Sequence, residues 1–487
     1  MRHSILFLIS VLMGSTMMLS CISEEDFPTP ASARLRFSAD TLDMDTLLIG
    51  TSSATRTFTI YNDSKDGVSI TSIAFEGEGK DRFLANVDGT FINPGFSQSI
   101  DCRGKDSLIA FVQFNAEDSM SIPAQHSTAT LVFTLKNGAQ QSIAVEGYSL
   151  DAQPLRGLTI NSDTTLSGQR PYVVYDSLVV KEGATLTLPA GTTLFFHSNT
   201  GMRVDGTLKA EGTLDKPVTF RGDRFDDMFQ NQAYDRIDNQ WEGITFSSSS
   251  YDNHLNYCDI HASNRGIYCD SSDISRRKLT LENSSLHNTH LDALRSICSQ
   301  IFVGNTQISN AEDNCITIIG GDATFVHCTV ASFNPFTATR GNALSFHNNI
   351  GSDLYPLERL DFYNCIITGY ASDEIFGDKD ESASFNYGFY NCLLNTPEIT
   401  DDANVLNNVW DTNSNEVYRD GNFRMLNRTN LYYDFRLVEA SPARGIGDPD
   451  ITARYYPYDR YGVPRSTSWS SPDAGCYQYT PEEDNEQ

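Results

Sequence analysis

At 487 residues the chain is too long for one ordinary hydrophobic core, so two or three domains are expected. Hydrophobic residues at 39% and aromatics at 11% exclude a disordered chain. A formal net charge of −28 argues against a nucleic-acid binder, which needs basic stripes, and disfavours a bare acidic polysaccharide as ligand unless a metal or local basic patch intervenes.

The chain opens with Arg2 and His3, then an apolar run from Ile5 to Leu12, then Met18-Leu19-Ser20-Cys21. The run is too short to span a bilayer as a permanent helix, and residues 1–20 read as a signal peptide. The four residues ending at Cys21 resemble the bacterial lipobox, with Met18 where the consensus prefers leucine. That resemblance implies cleavage before Cys21, lipidation of its thiol and amine, and a stable anchor in the outer membrane. Ser23-Glu24-Glu25-Asp26 resembles the export signal of Bacteroidetes-type surface lipoproteins and implies surface exposure. Residues 21–33, acidic and carrying two prolines, read as a tether.

Residues 34–150 have the rhythm of short strands separated by turn residues, about seven in roughly 115 residues, the count of an Ig-like sandwich. FTIYN at 58–62, INPG at 92–95, VQFNA at 112–116 and VEG at 145–147 resemble the bacterial Ig-like modules related to those of ciliary and centrosomal proteins. The resemblance implies a spacer or adaptor.

From residue 157 the pattern changes. LVVKEGATLTLPAGTTLFF (178–196), MRVDGTLKAEGTLDKPVTFRG (202–222) and WEGITF (241–246) are strand-like, with Gly183, Gly191, Gly206 and Gly212 at expected positive-φ turns. A phrase then recurs: LNYCDI from Leu255, LENSSL from Leu281, VGNTQI from Val303, VHCTVA from Val326, FYNCII from Phe362 and FYNCLL from Phe389. Its central residues are Cys258, Ser284, Thr306, Cys328, Cys365 and Cys392, at steps of 26, 22, 22, 37 and 27. Each copy is expected to be one strand, with the central residue inward and the polar residue before it outward. Strands about 22 residues apart, stacked in register, make a coil of several short parallel strands per turn, and the longer steps carry loop insertions.

These segments resemble the right-handed parallel β-helix of the pectin-lyase-like superfold. The fold expected is therefore all-β: an Ig-like β-sandwich, then a right-handed parallel β-helix solenoid over 157–430. Residues 431–480 carry SPARGIG, DRYGVPR and DAGCYQY, which resemble the closing segment of secreted β-helix proteins and imply a C-terminal cap. Residues 481–487 are expected to form a disordered tail.

The superfold carries lyases, hydrolases and non-catalytic scaffolds alike, so function must come from a site. Asp292, Asn314, Asn342 and Glu374 start corresponding strands and are expected to stack as a surface stripe with Asp313 nearby. Asp292, Asp313 and Glu374 are the candidate catalytic carboxylates, since residues one coil apart lie about 4.8 Å from each other. Turn geometry selects Asn and Asp at the same positions. Two insertions are candidate binding loops. The first holds Asp223, Asp226, Asp227, Phe229 and Tyr234, and ends at Trp241; the second runs from Asp373 to Glu381. Rings beside carboxylates suit neutral sugars or calcium. No cofactor and no dedicated metal site is expected, calcium excepted, because no Cys/His pair has metal-ligand spacing. The ten cysteines read as Cys21 on lipid and the rest as mostly reduced, buried thiols. The expectation is a lipid-anchored surface protein that binds glycan or another extracellular ligand without catalysis; the alternative is a polysaccharide lyase or glycoside hydrolase.

Overall fold

The structure is a computed structural model describing residues 27–49, 52–92, 98–116, 125–229, 232–336, 340–400, 402–411, 420–465 and 471–481. The signal peptide, Cys21, the acidic run to Asp26 and the tail from residue 482 lie outside the described residues. The chain divides into two compact units, the first ending at Ser149 and the second running from Leu150.

The first unit is a β-sandwich of two five-stranded sheets. One contains Arg56–Asn62, Asp106–Phe114 and Phe83–Val87; the other contains Gln140–Leu150, Gln125–Leu135 and Val68–Glu76, and these strands pair antiparallel. Strict alternation makes the core. Leu108, Ala110, Val112 and Phe114 point inward from one sheet, and Ala129, Leu131, Phe133 and Leu135 from the other.

The second unit is a parallel β-helix whose 26 paired strands form three stacks. In each coil the chain passes from sheet 1 to sheet 2 to sheet 3. One such coil is Asn253–Asn256, Cys258–Ser263 and Ile267–Cys269, pairing with Arg277–Glu282, Ser285–Thr289 and Leu294–Gly304 of the next. The interior is a continuous column of Leu, Ile, Val and Phe, with ring stacks such as Phe325 on Phe362 at 4.5 Å and Phe362 on Phe389 at 5.4 Å.

The recurring phrase is not one strand. It straddles the corner between sheets 1 and 2. The residue expected to point outward (Tyr257, Asn283, Asn305, His327, Asn364 or Asn391) adopts a left-handed conformation with φ between 46° and 56°, making a one-residue bend. Asparagine tolerates this region best among residues with a side chain, which explains four of the six. Asn305 donates to Asn283 at 2.7 Å, and Asn283 to Asn256 at 2.8 Å, so the corner side chains form a ladder.

The central residue opens the next strand and is buried, as expected, but size alone does not select it. The bend interrupts the strand ladder and leaves its backbone N–H without a strand partner. The next coil supplies one. Cys258 N–H donates to Ser284 Oγ at 2.9 Å, Ser284 N–H to Thr306 Oγ1 at 3.3 Å, and Cys365 N–H to Cys392 Sγ at 3.4 Å. Each acceptor also donates to the carbonyl two residues back, as Ser284 Oγ does to Glu282 O at 2.6 Å. In these coils a small side chain that both donates and accepts does this, Ser, Thr or Cys, and in the last coil Asn408 Oδ1 takes the Cys392 N–H at 2.9 Å. All nine cysteines among the described residues are unpaired, eight of them buried. Burial pushes the Cys269 and Cys315 thiols up to about 12, which keeps them protonated and unreactive.

Gly183 and Gly191 do take positive φ, at 81° and 82°, but Gly206 and Gly212 do not. At Gly206 and Gly212 a Cβ would stand 2.2 Å and 2.3 Å from neighbouring carbonyl oxygens, so space rather than φ requires glycine there.

The C-terminal segment, expected as an end cap over 431–480, runs instead lengthwise over the corner ladder. Asp448 N–H donates to Asn364 Oδ1 at 2.7 Å, Thr452 Oγ1 meets His327 Nε2 at 2.8 Å, and Arg465 donates to Asn305 Oδ1 at 2.9 Å. Arg460 reaches Asn283 O at 3.2 Å. The strap satisfies polar groups that the bends turn outward. It also presents the helix Pro449–Tyr455 beside the outer face of sheet 1.

Candidate functional site

The expected surface stripe does stack, but not on the surface. Asp292 is 3% exposed and Glu374 0%. Asp292 Oδ1 accepts from Asn314 N–H at 3.2 Å and from its side chain at 3.1 Å, while Oδ2 takes Arg295 at 2.9 Å. Asn314 Oδ1 accepts from Asn342 N–H at 2.9 Å, and Glu374 accepts from Ala343 and Ala371 N–H at 2.8 and 2.7 Å. These carboxylates hold the backbone where strands of sheet 3 begin. Asp313 is largely exposed, and partial desolvation together with Asp292 raises its carboxyl above the usual range.

The loop residues divide. Asp223 meets His197 Nδ1 at 2.7 Å, and Asp226 pairs with Arg224, whose guanidinium lies 3.6 Å from the Tyr234 ring centre. Asp227 and Phe229 are exposed on a small hairpin. Trp241 belongs to the core: it is 1% exposed, stacks on Phe196 at 4.3 Å, and donates to His261 O at 2.8 Å. Its aromatic character fills the interior beside the loop and is not offered to a ligand. In the second loop Glu381 pairs with Lys379 at 3.0 Å, and Asp380 accepts from Ser382 N–H at 2.8 Å, so its carboxylates do not converge.

Two groupings that the sequence reading passed over bring chemistry together. The first is a groove of about 520 Å³ between the outer face of sheet 1 and the strap helix. Register places Phe302, Thr324 and Asp361 on successive rungs, and Tyr363 beside Tyr390 on adjacent rungs, their rings stacked at 4.9 Å. Tyr455 and Tyr456 close the far wall. Tyr456 crosses Gly304, where a Cβ would stand 1.9 Å from the phenol oxygen, and donates to Glu282 at 2.5 Å. His254 sits between Glu211 at 2.7 Å and Glu282 at 3.1 Å. The hydrogen bond to Glu282 leads in pushing His254 up to about 9 and in lowering the Glu282 carboxyl. Asp361 moves the other way, raised by burial and by Asp322 despite the Tyr363 hydroxyl at 3.2 Å. Arg359 grips Asp322 with two bonds of 2.8 Å.

Glu282 and Asp361 have carboxyls pushed apart in acidity, the mark of an acid and base pair. Their spacing argues against that role. Glu282 aligns through Gly304 and Val326 with Tyr363, three rungs away and two residues from Asp361. At about 4.8 Å per rung that is roughly 14 Å along the helix, beyond the ~5–9.5 Å of glycosidase pairs.

The second grouping lies on the outer face of sheet 2, under the loop that starts at Asp223. Asp259 and His261 alternate outward on one strand, and His287 is the register partner of His261 on the next rung. The two imidazoles stack at 4.9 Å and 9°. His287 Nε2 lies 3.1 Å and His261 Nδ1 3.4 Å from Asp259 Oδ1, and Ser285 Oγ donates to the same oxygen at 2.8 Å. On its other side His261 Nε2 meets Asp235 of the loop at 2.8 Å, and Arg221 holds Asp235 at 2.8 Å. Burial opposes a charge on His261, but Asp259 and Asp235 outweigh it and push the imidazole up to about 9. Three residues along, Asp238, His290 and Glu312 form a parallel group, with Asp238 pushed up to about 6 by burial and by Glu312.

No family model matches the chain, and no curated protein matches it. Among solved structures it is similar to a PapD-like domain of human CEP192, at 9% identity and a TM-score of 0.17, over 27% of this chain and 98% of that one. It is similar to the catalytic domain of a GH87 alpha-1,3-glucanase in complex with tetrasaccharides, at 10% identity and a TM-score of 0.20, over 72% and 91%. A family 123 glycoside hydrolase from Clostridium perfringens matches at 8% identity and 0.20, over 28% and 31%. At these scores no activity transfers.

Proposed function

We propose that the chain is a surface glycan-binding protein, anchored at Cys21, whose Ig-like module presents a β-helix that holds a neutral oligosaccharide in the sheet 1 groove without cleaving it. The observation that carries this reading is the groove itself. It combines the rings of Tyr363, which Tyr390 backs by stacking, and Tyr455 with fixed polar groups at Asp361, Arg277 and Glu282. Rings supply flat faces for sugar C–H groups, and fixed donors and acceptors read hydroxyls. Arg359 is already bound to Asp322, and the chain is strongly acidic, which favours an uncharged ligand. The test is a panel of neutral oligosaccharides against the full chain in detergent. Binding that weakens roughly tenfold in Tyr363→Ala is expected, about 1.4 kcal/mol of lost stacking. A Tyr363→Ala protein that binds like wild type refutes the groove as the site.

A hydrolase reading has one observation in its favour. Asp361, with its raised carboxyl, lies one rung from Asp322 and offset by two residues. Release of reducing ends that disappears in Asp361→Asn would establish it and displace the binding reading.

A further inference from the structure

We propose that Asp259, His261 and His287 bind one divalent transition-metal ion of the zinc class, through a carboxylate oxygen of Asp259, Nδ1 of His261 and Nε2 of His287. Four observations converge. The three donor atoms lie within 4.8 Å of one another, a spread that a small shift closes onto one ion with bonds of about 2.0–2.2 Å. His261 is 5% exposed, and its Nδ1 has no hydrogen-bond partner although it points into the cluster. A buried polar nitrogen left in that state is costly unless something satisfies it, and an ion would. The other nitrogen of the same ring is held at 2.8 Å by Asp235, itself held by Arg221 at 2.8 Å. That is how proteins orient a ligating imidazole: a carboxylate takes the Nε2 proton and leaves the Nδ1 lone pair facing the ion. Finally, the cluster is reachable, since the side chains of Asp259 and His287 are 33% and 26% exposed.

Two imidazoles and one carboxylate select zinc, cobalt or iron(II) over calcium, whose sites are built of oxygen. Three protein ligands also leave a position open to water or a small ligand. The bare alternative is an ion-pair network of histidines and aspartates. It accounts for every contact here, the 3.4 Å approach of Nδ1 to Asp259 included, but leaves that buried Nδ1 without a hydrogen bond. The parallel group at Asp238, His290 and Glu312 lacks such an atom on His290, whose Nδ1 already bonds Glu312. The inference does not depend on the glycan reading, because its readout is metal binding alone and its residues lie on sheet 2 rather than sheet 1.

The full chain, stripped with EDTA and repurified, is titrated with Co²⁺ by visible absorption and with Zn²⁺ by calorimetry. One equivalent is expected, with the intense absorption of a four- or five-coordinate cobalt site. His287→Gln, at a partly exposed position that leaves the core intact, is expected to weaken binding at least tenfold. Asp235→Asn, which touches no ion, should weaken it 10–100-fold. His254→Gln, which removes the His–Glu cluster on sheet 1, should leave both affinity and stoichiometry unchanged. Absence of bound Co²⁺ and Zn²⁺ in wild type, unchanged binding in folded His287→Gln, or loss in His254→Gln would each overturn the assignment.

Discussion

The corner between sheets 1 and 2 and the outer face of sheet 2 lie three residues apart in each repeat, yet they treat polar atoms in opposite ways. At the corner, Ser284 both accepts from Cys258 N–H and donates to Glu282 O, and its counterparts do the same coil after coil. Neither hydrogen-bonding function of that side chain is left for a ligand. Three residues on, His261 and His287 stand at the same repeat position, the next coil has Ser309, and one imidazole nitrogen remains unpartnered. Polar residues that recur in every coil build the solenoid. Those that occur in one or two coils, under an inserted loop or beside the strap, are where ligands are to be sought. Asp292 and Glu374 follow the first rule and Tyr363, Asp361 and His261 the second.

Substitutions test that division, and the largest effect is expected in the interior. Trp241→Ala should cost about 3–5 kcal/mol in chemical denaturation, because a fully buried indole leaves a cavity. A loss under about 1 kcal/mol would return Trp241 to the loop surface. At the corner, Ser284→Ala should cost about 2 kcal/mol by stranding the buried Cys258 N–H, while Ser284→Cys, the residue used in other coils, should cost less than about 1 kcal/mol. Equal losses would mean that volume, not hydrogen bonding, selects the residue.

A smaller effect is expected from pH. The folded protein holds the His254 proton up to about 9, above the ordinary 6.5, so its contribution is complete below pH 6.5 and declines as pH rises through 9. Melting temperature should therefore fall more between pH 6 and 9.5 in wild type than in His254→Gln. Parallel curves would remove His254 from the ion network. The smallest effect belongs to Phe229, 62% exposed on its hairpin: Phe229→Ser should change stability by no more than about 0.5 kcal/mol.

Much of the architecture was legible because parallel coils repeat their core. The periodic small residue marked the stacking, and alternation in residues 106–114 and 125–135 marked the sandwich strands. The bend was not, because a one-residue corner preserves the apolar-polar rhythm of a strand while turning the backbone; only the run of asparagines before the central residue hinted at it. The burial of Asp292 and Glu374 was hidden for a related reason: a carboxylate accepting backbone N–H groups looks, in sequence, like one waiting for substrate. The histidine cluster was within reach. Asp259 and His261 share a face by alternation, and His261 and His287 both fall three residues after the central position. The groove was not, since one wall of it comes from a strap more than 100 residues away in sequence from Phe302.

The central claim is that ligand chemistry resides in the groove and not in the repeated ladder. Its most direct test is the dissociation constant for one neutral oligosaccharide, measured by calorimetry on Tyr363→Ala and Asp292→Ala side by side. Roughly tenfold weaker binding in Tyr363→Ala, with wild-type affinity in the folded Asp292→Ala protein, is the predicted result. Wild-type affinity in Tyr363→Ala together with lost affinity in Asp292→Ala would contradict it.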